Sequence, residues 1–220
     1  MPDLAPLWLS LRVASLATAV IVLLGTPAAL VLARRRFPGR GLLAGALTLP
    51  LVVPPTVLGF ALLQVFGRRA PVGFWLEQTL GVVVVFHWPG AVIASAVAAF
   101  PLFLLPARGA FEAVDPALED VARLLGHGEW SVFLRVTLPL ARPGLLAGTV
   151  LAFVRALGDF GATLMVAGDI PGRTQTASLA IYDAVQVGDT RLATVLTGLI
   201  AAVSVLALWY AQRRLPGRSP

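Results

Sequence analysis

Arg155 and Asp159 stand four residues apart inside the otherwise apolar run GLLAGTVLAFVRALGDFGATLMVA. On a helix that spacing puts both side chains on one face, within reach of each other. Three chemistries are open to them. The pair can neutralise itself or a neighbouring helix, Arg155 can tune the path of an anion, or Asp159 can serve as a proton or sodium site. The adjacent carboxylate blunts any pull of Arg155 on an anion, which favours a structural or gate-positioning role. Gly158 and Gly161 flank the aspartate and permit the close helix approach of a gate or a symmetric dimer interface. A second charged set, Glu119, Asp120 and Arg123, opens the stretch EDVARLLGHGEWSVFLRVTLP, residues 119–139.

Elsewhere the reactive side chains are sparse. His87 and His127 lack metal-ligand spacing, so no metal site is expected. There is no Gly-rich Lys-Ser/Thr phosphate loop, so the chain is not an ATP hydrolase. Serine, histidine and aspartate form no hydrolase motif, and no catalytic residue is assigned. Cysteine is absent, which excludes disulfides, thiolate metal sites and cysteine nucleophiles.

Membrane helices must position these residues. Of 220 residues, 58% are hydrophobic and 13% charged, outside the range of soluble domains. The runs 13–33, 42–66, 81–105, 144–167 and 192–211 are each long enough to cross a hydrocarbon core, which takes about 20 helical residues. Lipid offers a backbone amide no partner, and the alternation of barrel strands is absent, so the spans are helical. The fold class is all-α: one polytopic transmembrane bundle over residues 1–220 with five spans. Pro50, Pro54, Pro55 and Pro101 predict bends. Residues 176–189 read as a short amphipathic helix ending at Gly188, which as a re-entrant element would make six. The opening MPDLAPLW lacks the basic start of a cleaved leader, so the first run is expected to be a retained span.

Arginine placement predicts orientation, because basic residues favour the cytoplasmic side. One side takes Arg34, Arg35, Arg36 and Arg40, then Arg108, Arg123, Arg135 and Arg142, then Arg213, Arg214 and Arg218, eleven in all. The other takes five: Arg12, Arg68, Arg69, Arg173 and Arg191. The N-terminus is therefore expected outside and the C-terminus in the cytoplasm, with Trp209 and Tyr210 in the interfacial belt. Arginines spread between apolar runs are not a nucleic-acid surface.

The polar stretch then falls in a cytoplasmic loop, residues 106–143. Asp115 as N-cap, Pro116 in the first turn and Gly126 as a left-handed stop predict a helix. Leu118, Val121 and Leu125 share one face of it, while Glu119, Asp120 and Arg123 point elsewhere. A second short helix over 129–136 is expected to end at Leu138 and Pro139. Helices that lie on lipid favour a basic polar face, and this mixed, slightly acidic one suits a protein partner.

The stretch resembles the cytoplasmic loop motif of bacterial ABC import permeases: Glu-Ala-Ala, three residues, Gly, nine residues, Ile, one residue, Leu-Pro. The matching positions are Asp120, Val121, Ala122, Gly126, Val136, Leu138 and Pro139, with Asp for Glu, Val for the first Ala and Val for Ile. FGAT, MVAG and IPGRT, in the region from Arg155 to Asp189, are similar to the molybdate branch of these permeases, whose relatives carry sulfate. The resemblance implies a type I importer permease in a bacterial or archaeal cytoplasmic membrane. It implies a homodimer whose loop, through Glu119, Asp120, Val121, Ala122, Gly126, Leu138 and Pro139, couples to a separate ABC ATPase. ATP and Mg would then belong to that partner, this chain would bind no cofactor, and an extracytoplasmic molybdate-binding protein would deliver the substrate. Two other classes compete. An ion-coupled secondary transporter would use Asp159 and show inverted repeats, which are not apparent; a membrane scaffold would carry nothing.

Overall fold

A computed structural model describes residues 4–214 and contains no strand among them; Arg218 lies outside the described residues. The first helix, α1, runs Ala5–Arg34, longer than its apolar run because Pro6 sits in the first turn, where a missing amide is no loss. The second run divides. Helix α2 (Arg40–Thr48) passes through a 3-10 turn (Leu49–Leu51) and breaks before α3 (Pro55–Phe66), with a bend of 115°. Pro50, Pro54 and Pro55 withdraw three amide donors within six positions, so a straight span cannot form there.

The third run also departs from expectation. Gly81, at φ +64°, ends the short helix α4 (Pro71–Leu80), and residues 81–87 are not helical. Helix α5 starts at Trp88 rather than 81, with Pro89 in its first turn, and ends at Glu112 rather than 105. Part of this irregular backbone is satisfied by protein: the Phe86 amide donates to the Val166 carbonyl at 3.0 Å, and Val84 is buried.

Helix α5 is the axis of the bundle, packed against α1 and against α8 (Leu138–Leu157). Phe103, Phe111, Ile21, Leu32, Leu104 and Leu157 fill the core between them. On α8, Gly148 lies against the Phe103 backbone so closely that an added Cβ would meet its carbonyl oxygen at 2.9 Å, the small-residue packing that membrane helices use in place of a hydrophobic drive.

Between α5 and α8 the chain forms α6 (Pro116–Leu124) and a one-turn α7 (Glu129–Val132). Leu138 and Pro139 do not end that second helix. A π-turn, Phe133–Thr137, carries α7 directly into α8; there the Leu138 amide reaches back to the Phe133 carbonyl, and Pro139 falls in the first turn of α8. Residues 113–128 thus connect α5 to the continuous α7–α8 stretch, with α6 held between them. The fourth run breaks as well: α8 stops at Leu157, and α9 (Gly161–Ala167) restarts after Gly158, Asp159 and Phe160. Helix α10 (Ala177–Gln186) packs beside α11 (Thr190–Arg214), where the Arg213 guanidinium lies 3.8 Å over the Trp209 ring. Among the described residues, four helical stretches are long and apolar enough to cross a membrane, and the bent pair α2–α3, counted as one broken span, brings the number to five.

Candidate functional site

Two polar assemblies stand out, one at the tip of the 113–128 connection and one at the break after α8. The first is built on a capped helix. The Asp115 carboxylate accepts from the Ala117 amide at 2.9 Å, and Gly126 adopts φ +87°. The Gly126 amide then donates to Arg123 and the His127 amide to Ala122, the paired bonds of a Schellman stop. Caps at both ends hold nine residues as a helix that would be marginal alone.

The apolar stripe of α6 does not face the bundle. Glu119 and Ala122 are buried, whereas Val121 is 55%, Leu125 75% and Leu124 87% exposed. Leu118 stands at the margin, half exposed. Glu119 faces inward because it has partners there. Its Oε1 accepts from Arg34 Nη2 of α1 at 2.8 Å and from Thr137 Oγ1 of the π-turn at 2.7 Å. The same Arg34 Nη2 also donates to the Val114 carbonyl at 3.2 Å.

Asp120 lies on the exposed side, paired with Arg123 at 2.7 Å. Arg123 also clasps Glu129 of α7 at 2.7 Å and holds that carboxyl below its ordinary value, chiefly by the hydrogen bond it donates. Nearby, Trp130 is exposed and meets Phe133 edge-on. The result is a projecting element with a polar base and an apolar outer face.

At the second assembly, Asp159 is 2% exposed and its carboxylate is fully engaged. Oδ1 accepts from Arg155 Nη1 at 3.0 Å, and Oδ2 accepts from the Thr163 amide at 3.0 Å and hydroxyl at 2.7 Å. The Thr163 hydroxyl lies 3.3 Å from Ser95 Oγ on α5. Asp159 therefore caps α9 as it neutralises Arg155, which restarts the helix after the break. A carboxylate with three donors is poorly suited to load and release a sodium ion. Gly161 permits a close approach, since an added Cβ would meet Pro55 Cβ at 2.9 Å; Gly158 has only its own helix nearby, with Val154 O at 3.7 Å.

The structure thus brings Arg155 and Asp159 together and sets Glu119 apart from Asp120 and Val121. Sequence reasoning missed Thr163 and Thr137. Thr163 is one turn beyond Asp159, a spacing that carries the signal; nothing local marks Thr137. The histidines are at opposite ends of the bundle, His87 before α5 and His127 after α6, each with one local contact.

A helical membrane bundle with a capped amphipathic element projecting between two long helices has the architecture of a transport permease. The chain belongs to the family of binding-protein-dependent transport system inner membrane components, which matches residues 21–217. It is 43% identical over 216 residues to the molybdenum transport system permease protein ModB of Escherichia coli K12, covering 96% of this chain and 94% of that one. It is 40% identical to ModB of Azotobacter vinelandii, over 96% and 95% of the two chains. The sulfate transport system permease protein CysT of E. coli K12 is 36% identical, over 91% and 71%. Among solved structures, the MetNI methionine ABC transporter aligns with a TM-score of 0.71 at 16% identity, covering 96% of this chain and 93% of that one. A bacterial importer of the polysaccharide alginate gives 0.73 at 16%, covering 96% and 77%. Those two likenesses concern the fold alone.

Proposed function

We propose that this chain is the membrane subunit of an ATP-driven importer that carries molybdate across the cytoplasmic membrane. The names of its ModB relatives support the substrate. The observation that carries the mechanism is the outer face of α6, where Val121, Leu124 and Leu125 are exposed on a helix capped at both ends and anchored at its base. Such a face needs a cover, and a separate ABC ATPase supplies it by receiving the helix in a groove. ATP and Mg belong to that ATPase; this chain contributes the path and the lever. The chain works as a homodimer, and an extracytoplasmic molybdate-binding protein loads it.

Orientation follows from the same element. If α6 meets the ATPase, the end of α1 at Arg34 is cytoplasmic and the N-terminus is outside, which agrees with the eleven-to-five arginine balance. The outer end then holds a cavity of about 510 Å³ between α1, residues 86–88 and the 172–175 loop. Among the described residues Arg12 and Arg173 bring positive charge to its lining, beside His87, and no carboxylate joins them, which supports a potential that favours an arriving oxyanion. Break and lever lie at the two ends of α8, so movement of α6 is passed along α8 toward the Asp159 restart.

Reconstitution with the ATPase and binding protein in liposomes tests this reading. ATP-dependent uptake of molybdate, with tungstate and sulfate as competitors, is the expected result. Uptake of sulfate in preference to molybdate would replace the substrate assignment, and uptake without the ATPase would replace the mechanism.

A further inference from the structure

The coupling element hangs on few contacts. In backbone terms α6 approaches α7 and the π-turn, while α1 packs on α5 and α8. A cavity of about 360 Å³, lined by Leu30, Arg34, Glu119, Arg123 and Phe133 among others, opens where apolar packing would otherwise join α1 to α6. Across that gap the link between α1 and α6 is polar. Arg34 reaches from the last turn of α1 to the Glu119 carboxylate and to the carbonyl of Val114, just before the α6 cap. The same carboxylate oxygen takes the Thr137 hydroxyl, at the point where the helix ladder changes from π to α register. One buried oxygen therefore joins three elements, with Arg34 Nη2 and Thr137 Oγ1 as donors.

We propose that Glu119 is a positioning residue for coupling: through Arg34 and Thr137 it makes the α6 lever move as one body with α1 and α8. This assigns Glu119 and Asp120 different tasks. Asp120 lies on the face open to the partner, and Glu119 fixes that face to the bundle. A π-turn is a weak point in a helix, with poorer hydrogen-bond geometry than its neighbours. Without a brace, displacement of α6 would be absorbed at 133–137 instead of reaching α8. The Thr137 bond supplies that brace, and the Arg34 bond extends it to α1.

The inference rests on the importer reading, and its test has one arm that does not. The sequence has no cysteine, so Leu23→Cys on α1 and Leu124→Cys on α6 give two unique label sites, 73% and 87% exposed in the native chain. The full chain in nanodiscs, with labelled subunits diluted in unlabelled ones, yields the α1–α6 distance distribution by pulsed electron paramagnetic resonance. A single narrow distribution is expected, and Glu119→Gln or Arg34→Gln should broaden it. An unchanged width in both variants overturns the proposal without ATPase or substrate. In the second arm, the same variants on the unlabelled chain are reconstituted with ATPase and binding protein. Oxyanion moved per ATP hydrolysed should fall about tenfold, the ratio matching the loss of one charge-assisted hydrogen bond. The double variant should do no worse than either single one, because the two groups act through each other. Normal stoichiometry beside broadened distances shows a bond that only stabilises the fold, and overturns the proposal. If the native complex moves no oxyanion at all, the importer reading fails while the distance arm still decides whether Glu119 holds α6 in place.

Discussion

The chain uses one polar kit twice, a carboxylate with an arginine and a threonine, and the two copies do different work. At the α8–α9 break, Asp159, Arg155 and Thr163 lie within nine consecutive residues, so the carboxylate takes all its partners locally, and the network reaches α5 only through Ser95 beside the Thr163 hydroxyl. At the base of α6, Glu119 joins Arg34, which is 85 positions away, and Thr137, which is 18 away. A local network sets the shape of one segment. A network that reaches across the sequence sets how segments move relative to one another. Loss of the first should register mainly in stability, and loss of the second mainly in coupling.

The sharpest way to break this contrast is Asp159→Ala, which leaves Arg155 unpaired within the bundle. Breaking a fully buried pair costs about 3–5 kcal/mol; with Arg155 one-third exposed the loss should fall near the lower end of that range, to be read as a lowered thermal midpoint of the purified chain. An unchanged midpoint would mean that the break does not depend on its cap. Thr163→Val removes a hydroxyl bonded to a carboxylate and should cost about 1.5–3 kcal/mol. The matched change Thr137→Val should instead lower uptake per ATP with the smaller effect on the midpoint, and equal midpoint losses would erase the distinction. At Gly126 a left-handed φ of +87° disfavours any side chain, so Gly126→Val should strain the end of α6 by about 1–2 kcal/mol. Its expected signature is ATP hydrolysis uncoupled from uptake, with insertion intact; normal uptake would count against a role for the cap. Asp115→Ala, which removes the other cap, should cost about 1 kcal/mol and uncouple more mildly.

The smallest effect concerns pH. Arg123 lowers the Glu129 carboxyl pKa below the ordinary glutamate value of about 4.3. A lowered carboxyl pKa means that the charged form favours the folded state. The Arg123–Glu129 contribution is therefore complete above that ordinary value and is lost as pH falls through the lowered one. Since Glu129 is exposed, the change should be slight. Titration of the carboxyl by NMR, with Arg123→Gln restoring an ordinary midpoint, checks the sign.

How much of this was legible in the sequence follows the same division. Arg155 and Asp159 were visible as a pair because helical spacing alone puts them together, and the α6 caps were visible because capping chemistry is local. The Glu119 partnership was not, since Arg34 reads from the sequence only as one basic residue among several that set topology. Hydropathy located the apolar runs but not their breaks. The valines before Phe86 are as apolar in irregular backbone partly covered by protein as they would be in a helix. Three prolines between positions 50 and 55 pointed to a bend without giving its 115°. The inward turn of Glu119 was not legible, because spacing puts Leu118, Val121 and Leu125 on one face without saying which face meets the bundle.

The most direct test of the account is site-specific photo-crosslinking from α6 in the assembled complex. A crosslinker at Leu124, the most exposed position on that face, should capture the ATPase, while one at Leu23 on α1 should capture none. Failure of the Leu124 probe to reach the ATPase, or its modification by a membrane-impermeant reagent added outside intact cells, would contradict the account.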